Sequence, residues 1–85
     1  MERSEIISAI EASVAEVRTE PVTGLAETTR LLQDLNLDST SILELLMSLE
    51  DILNIEIDAM DLSWDDFATV GSLADYLSKV PRVTA

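Results

Sequence analysis

Apolar residues recur along this chain at spacings of three and four, a periodicity that predicts amphipathic helices. From Ser4, a candidate N-cap, Ile7, Ile10, Val14 and Val17 fall on one face, with Ile6 widening the stripe, so a first helix is expected there. The clearest period in the chain runs through Ile42, Leu45, Leu46, Leu49, Ile52 and Leu53 and predicts a second helix over about Ser39 to Leu53, stopped at Asn54. Asp38 is its cap: the carboxylate is placed to accept bonds from the amides of Thr40 or Ser41, and negative charge is favoured at that end of the helix dipole. Ser63-Trp64-Asp65-Asp66 has capping-box spacing with Asp in place of the usual Glu or Gln, which predicts a short third helix around Asp61 to Phe67. Thr69 offers an N-cap for a fourth, whose Val70, Leu73, Ala74 and Leu77 share a face and which Pro81 ends.

Between the first two helices, Pro21 and Gly24 interrupt any helical pattern, while Val22, Leu25, Leu31, Leu32, Leu35 and Leu37 supply apolar anchors. The segment from Arg18 to Asp38 therefore reads as a long loop pinned to the core, with one turn near Thr29 to Asp34. Ile55 and Ile57 alternate with acids in the manner of a strand, over too few residues to establish one. The expected architecture is all-α: a small four-helix bundle of three longer helices and a short third one, with a long loop after helix one. It is expected to form a single domain over residues 1–85, with an ordered core at about 4–80 and short tails. Nothing in that architecture names a function.

Composition narrows the possibilities. Apolar residues are 47% of the 85 and aromatics 4%, so the core is built from Leu, Ile, Val, Ala and Met. A chain of this size buries roughly 60% of its unfolded surface and has no room for a second core or a deep private active site. Seventeen acids against five bases give a net charge of −12, which repels nucleic-acid phosphates and anionic membranes and favours transient complexes with proteins that present Lys and Arg. Cysteine and histidine are absent, so disulfides, thiolate chemistry and imidazole bases or ligands are excluded. No run approaches the roughly 18 apolar residues of a membrane span, and the expected location is the cytoplasm. Between Leu31 and Ser78 there are eleven acids and no base, yet Asp58, Asp61, Asp65 and Asp66 do not fit the alternating pattern of a calcium loop, and no dedicated metal site is expected.

Candidate chemistry concentrates at Asp34-Leu35-Asn36-Leu37-Asp38-Ser39-Thr40-Ser41, where three hydroxyls crowd the first turn of the most amphipathic helix. A phosphate attached to Ser39 would meet the positive end of the helix dipole; alternatively, the three hydroxyls simply cap a helix. Glu44, Met47, Glu50 and Asp51 lie off the buried stripe, which suits either a solvated face or a docking surface in which an adaptable thioether is ringed by acids. Leu43 and Trp64 are open to three readings: part of that surface, lining of a cleft, or core. A carboxylate-only hydrolase using Asp38 or Asp34 lacks a recognisable cleft in the sequence.

The run Asp34 to Ser39, followed by Glu44, Leu45, Met47, Leu49, Glu50 and Asp51, resembles the attachment motif and second helix of acyl and peptidyl carrier proteins. The likeness extends more weakly through Ile55-Glu56-Ile57 and Thr69-Val70 to Tyr76 and covers nearly the whole chain. In that family the serine after the aspartate carries 4'-phosphopantetheine, derived from coenzyme A, so the resemblance implies Ser39 as the attachment residue and Asp38 as its motif partner. It further implies that Thr40, Leu43, Glu44, Met47, Glu50 and Asp51 meet partner enzymes. Those partners would be a phosphopantetheinyl transferase, an acyl- or aminoacyl-loading enzyme, and a downstream synthase, acyltransferase or tailoring enzyme, with the carrier a monomer and not itself an enzyme. Two positions depart from the pattern. Asn36 replaces a glycine, tolerable if that residue takes a positive φ; Thr40 replaces a leucine and so bears on the identity of the cognate transferase. The missing cysteine fits, because a thioester carrier with no thiol of its own must import one. The end of the motif region, Asp65-Asp66-Phe67-Ala68-Thr69-Val70, is more similar to discrete carriers of polyketide, nonribosomal peptide or related specialised biosynthesis than to a housekeeping fatty-acid carrier. An acidic noncovalent inhibitor or nucleic-acid mimic is the competing class.

Overall fold

Helix α1 spans Arg3–Arg18, α2 Ser39–Leu53 and α3 Val70–Ser78, with a single 3-10 turn at Trp64–Phe67, in a computed structural model that describes residues 2–19, 24–58, 60 and 62–81. No strand forms among the described residues; one isolated antiparallel bridge joins Arg30 to Thr69. The all-α class predicted from the periodicity is the class observed.

Each helix end has a local cause. The amide of Ile6 bonds the carbonyl of Glu2 at 3.1 Å, so the α1 ladder begins before Ser4, and Glu2 rather than Ser4 is the N-cap, without a side-chain bond. The Arg3 guanidinium stabilises this earlier start by pairing with Glu27, with Asp75 at 2.8 Å and with the Gly71 carbonyl at 3.3 Å, which ties the first turn of α1 to the long loop and to α3. Asp38 caps α2 through Ser41, whose amide lies 2.7 Å from the carboxylate, and Asn54 closes it in a left-handed conformation at φ +55°, its amide bonded to Glu50. Thr69 and Ser72 cap α3 reciprocally: the Ser72 amide donates to the Thr69 hydroxyl at 3.1 Å and the Thr69 amide to the Ser72 hydroxyl at 3.0 Å. The last bonds of α3 tighten to three-residue spacing at Lys79 and Val80, and Pro81 follows.

The short third helix differs from its prediction. Ser63 and Asp66 pair as the capping-box spacing suggested, with the Ser63 amide donating to Asp66 at 2.9 Å. But the Asp66 amide returns to the Ser63 carbonyl three residues back, and four residues leave no room for an α-helical ladder. The helical residues begin at Trp64; Asp61, the expected start, lies outside the described residues.

The core is one cluster in which α1 serves as the shared wall, packing on α2 along one side and on α3 along another, while the 3-10 turn packs on α3. Ile6, Ile10, Val14, Leu45, Leu49, Val70, Leu73, Ala74 and Leu77 are fully buried. The loop is pinned as expected by Leu31, Leu35 and Leu37, with Leu25 and Leu32 partly buried and a helical turn from Arg30 to Asp34, whose amide and carbonyl meet at 2.8 Å; Val22 lies outside the described residues. The loop approaches α3 so closely at Gly71 that a Cβ there would sit 3.0 Å from the Glu27 carbonyl oxygen. Ile52, expected in the core, is 46% exposed, because it lies at the edge of the α2 stripe, turned away from its centre at Leu45, Leu46 and Leu49. Ser13 is the converse case, a hydroxyl fully buried on α1 with no hydrogen-bond partner among the described residues, which costs stability.

Candidate functional site

The approach to α2 is built by alternation and one unusual backbone angle. Leu35 and Leu37 are both buried, and between them Asn36 is exposed at φ +55°, the left-handed region that asparagine tolerates better than most residues. The condition under which asparagine can replace the family glycine, a positive φ, is therefore met. The chain then leaves the core in an extended conformation at Asp38, and the Asp38 carbonyl accepts the first helical bond from Ile42 at 2.9 Å. The Ser41 amide, helped by the Ser41 hydroxyl, holds the Asp38 carboxyl below the usual carboxylate range. Asp34 is likewise held low, by the Arg30 amide at 2.8 Å and then by its guanidinium at 3.3 Å. Both carboxylates are thus engaged as ionised acceptors in the turn, the opposite of what a general base with a raised pKa requires.

Ser39 and Thr40 are exposed and Ser41 is half-buried, its amide committed to Asp38. Ser39 alone of the three lines a cleft of about 330 Å³ between α2 and the 3-10 turn, walled by Ile42, Leu43, Leu46, Leu62, Trp64 and Phe67. All six are apolar. Trp64 and Phe67 reach the same wall because residues three apart eclipse in a 3-10 turn, and their rings meet at 5.0 Å with planes tilted by 55°. Leu43 and Trp64, 55% and 64% exposed, are cleft lining rather than core. The cleft joins residues far apart in sequence, so Leu62, Phe67 and Leu46 carried no local signal as site residues; Trp64 did, as a large aromatic beside a cap.

Along α2, Glu44, Met47 and Asp51 are exposed, and Met47 shares a shallow groove with Glu16, Val17 and Ser48, where the Ser48 hydroxyl bonds Glu16 at 2.9 Å. Glu50 is placed differently: it is half-buried, and its carboxylate accepts the Ile57 amide at 2.9 Å, fastening the connection after α2. The contribution of Glu16 and Val17 to this surface was not visible in sequence, since it comes from a different helix.

A family model described as a phosphopantetheine attachment site matches residues 5–77. The chain belongs to that family. It is also similar to an acyl carrier protein of Thermotoga maritima, with 29% identity over 77 residues that span 91% of this chain and 93% of the relative. Members of the phosphopantetheine attachment family are carriers rather than catalysts, and their cofactor is covalently attached 4'-phosphopantetheine. The residues present here suit that group: an exposed hydroxyl stands at the amino end of a 15-residue helix, where a phosphodiester is stabilised, and an apolar cleft opens beside it. When bound, the group supplies the thiol that this chain lacks.

The Asp38 cap gives the site a pH signature. A carboxyl whose folded pKa is depressed binds fewer protons folded than unfolded, so its stabilisation is present above the unfolded value, about 3.9, and is lost as pH falls through the folded one. Asp38→Asn keeps an amide acceptor but cannot ionise. The stability difference between wild type and Asp38→Asn, from denaturant titrations, is expected to favour wild type at neutral pH and to shrink below about pH 4. A difference independent of pH contradicts this role for the carboxylate.

Proposed function

We propose that the chain is a discrete carrier that holds acyl, aminoacyl or peptidyl groups as thioesters on a 4'-phosphopantetheine arm attached to Ser39. In the attachment step the Ser39 oxygen bonds to the pantetheine-side phosphorus of coenzyme A. The pyrophosphate P–O bond breaks, adenosine 3',5'-bisphosphate departs, and the hydroxyl proton passes to a base of the transferase or to solvent. The observation that carries this reading is that Ser39, directly after the capping Asp38, is both exposed and on the rim of the apolar cleft. The chain positions the arm, and partner enzymes supply the chemistry; tethering turns each transfer into an effectively intramolecular encounter. Discrete carriage in polyketide, nonribosomal peptide or related biosynthesis is favoured by the Asp65-to-Val70 segment, with fatty-acid synthesis the alternative, and a monomeric, cytoplasmic protein is the simplest setting. A phosphopantetheinyl transferase, a loading enzyme and a downstream synthase, acyltransferase or tailoring enzyme are the partners, met through Thr40, Leu43, Glu44, Met47 and Asp51.

Incubation with coenzyme A, magnesium and a broad-specificity transferase is expected to raise the intact mass by one phosphopantetheine, and Ser39→Ala to abolish the gain. An unmodified wild-type protein favours the acidic-inhibitor class instead.

Docking is tested separately. Glu44→Lys or Asp51→Lys is expected to slow transfer by a cognate partner and to flatten its dependence on ionic strength, while Met47→Ala weakens the complex with that dependence unchanged. Glu50 is unsuited to this test, because reversing it also removes the Ile57 bond. Rates unchanged in all three variants would make the face a solvated surface only.

A further inference from the structure

Helix α2 carries one methionine, and it stands on the exposed side. Leu45, Leu46 and Leu49 supply the buried stripe, whereas Met47 is 66% exposed and shares its shallow groove with Glu16, Val17, Glu44, Ser48 and Asp51. Met60, in the connection after α2, is 96% exposed and lines neither that groove nor the cleft beside Ser39. The sequence holds three methionines and no cysteine, so no thiol of the chain competes with these thioethers for an oxidant. We propose that Met47 is a reversible oxidation site: a peroxide converts it to the sulfoxide, which weakens docking on α2 while the fold persists. This rests on the reading of Met47 as part of the docking surface.

The step balances with the peroxide alone. A lone pair on the Met47 sulfur attacks one peroxide oxygen, the O–O bond breaks, and the other oxygen leaves as water; the sulfur is oxidised and the peroxide reduced. In the reverse step, catalysed by methionine sulfoxide reductases, the sulfoxide oxygen leaves as water while a dithiol is oxidised to a disulfide. Hydrogen peroxide is uncharged, so a net charge of −12 does not keep it from the surface. Because Met47 lies off the buried stripe, the packing of α1 on α2 does not depend on its side chain. The groove does. A flexible apolar side chain becomes a polar one, and its new oxygen must shed water when a partner seats. Glu16, Glu44 and Asp51 already offer a partner's cations carboxylate acceptors there, so the added acceptor does not replace the lost apolar contact. Met60 takes up oxidant without altering the groove and serves as an internal control.

The test uses the full-length chain before attachment of the arm, so that no thiol of the arm is present. The protein is treated with hydrogen peroxide, freed of it by catalase and desalting, and mapped by peptide mass spectrometry for sulfoxide at Met47 and Met60. Phosphopantetheinyl transferase and coenzyme A are then added, and loading is followed by intact mass. Oxidation is expected to slow loading by about fourfold at limiting transferase, the equivalent of losing about one buried methylene from the docked complex. The helical circular dichroism is expected to stay unchanged, and a pair of reductases, one for each sulfoxide epimer, to restore the rate. Met60→Leu is expected to respond as the wild type does. Met47→Leu, which keeps an apolar side chain that peroxide does not attack, is expected to lose the response when compared with its own untreated form. Absence of sulfoxide at Met47, a fall in helix signal on oxidation, or equal slowing in Met47→Leu overturns the proposal. If oxidation leaves loading unchanged while Met47→Ala slows it, docking through Met47 stands and the oxidation site falls; if neither slows it, the docking role of Met47 falls as well.

Discussion

Between Leu35 and Leu37 the backbone passes through a left-handed turn at Asn36, and the geometry of Ser39 depends on that constraint. Two leucines separated by a single residue are both held in the core, with Asn36 between them at φ +55°, and the chain continues extended at Asp38 into α2. The Asp38 carboxylate then takes up the Ser41 amide and starts the helix, leaving Ser39 exposed at its first position. A β-branched residue at 36 would be strained there, whereas asparagine or glycine is not. Burial, turn and cap act in series, and the hydroxyl is placed without being buried or bonded itself.

The same economy of contacts organises the rest of the chain. With a net charge of −12, the surface offers few attractive pairs, and Arg3 is used to join three separate segments, meeting Glu27 of the loop together with Asp75 and Gly71 of α3. These pairs are solvent-exposed and individually weak, so the fold rests on the Leu and Ile cluster around α1 rather than on charge. The acidic surface that burdens folding also favours association with surfaces that present Lys and Arg. Since α2 packs chiefly on α1 and the 3-10 turn on α3, the gap between α2 and the turn is left as the apolar cleft beside Ser39.

What could be read from sequence was what is local. The three-and-four spacing of α2, the Asp38 cap and the stops at Asn54 and Pro81 are each decided within a turn or two of the residues concerned. Features decided by contact at a distance were not legible. Ser4 satisfied the composition of an N-cap, but the start of α1 is influenced by Arg3 reaching residues 24 and 72 positions away. Ile52 matched the α2 period, yet lies where the neighbouring wall no longer covers it. Glu50 looked like any surface acid until the returning chain brought the Ile57 amide to it, and the Trp64 wall needed Leu43 and Leu46 from another element to become a cleft. The third helix is present in the 3-10 form because a capping pair specifies where a turn begins, not whether enough residues follow to make it α-helical.

The proposed attachment at Ser39 is tested most directly by mapping the arm among the hydroxyls of the first turn of α2. Fragmentation mass spectrometry of the peptide containing Ser39, Thr40 and Ser41, taken after reaction of the wild-type chain with transferase and coenzyme A, locates the phosphodiester residue by residue. The group is expected on Ser39 alone; finding it on Thr40 or Ser41 would contradict the placement argued from the Asn36 turn and the Asp38 cap.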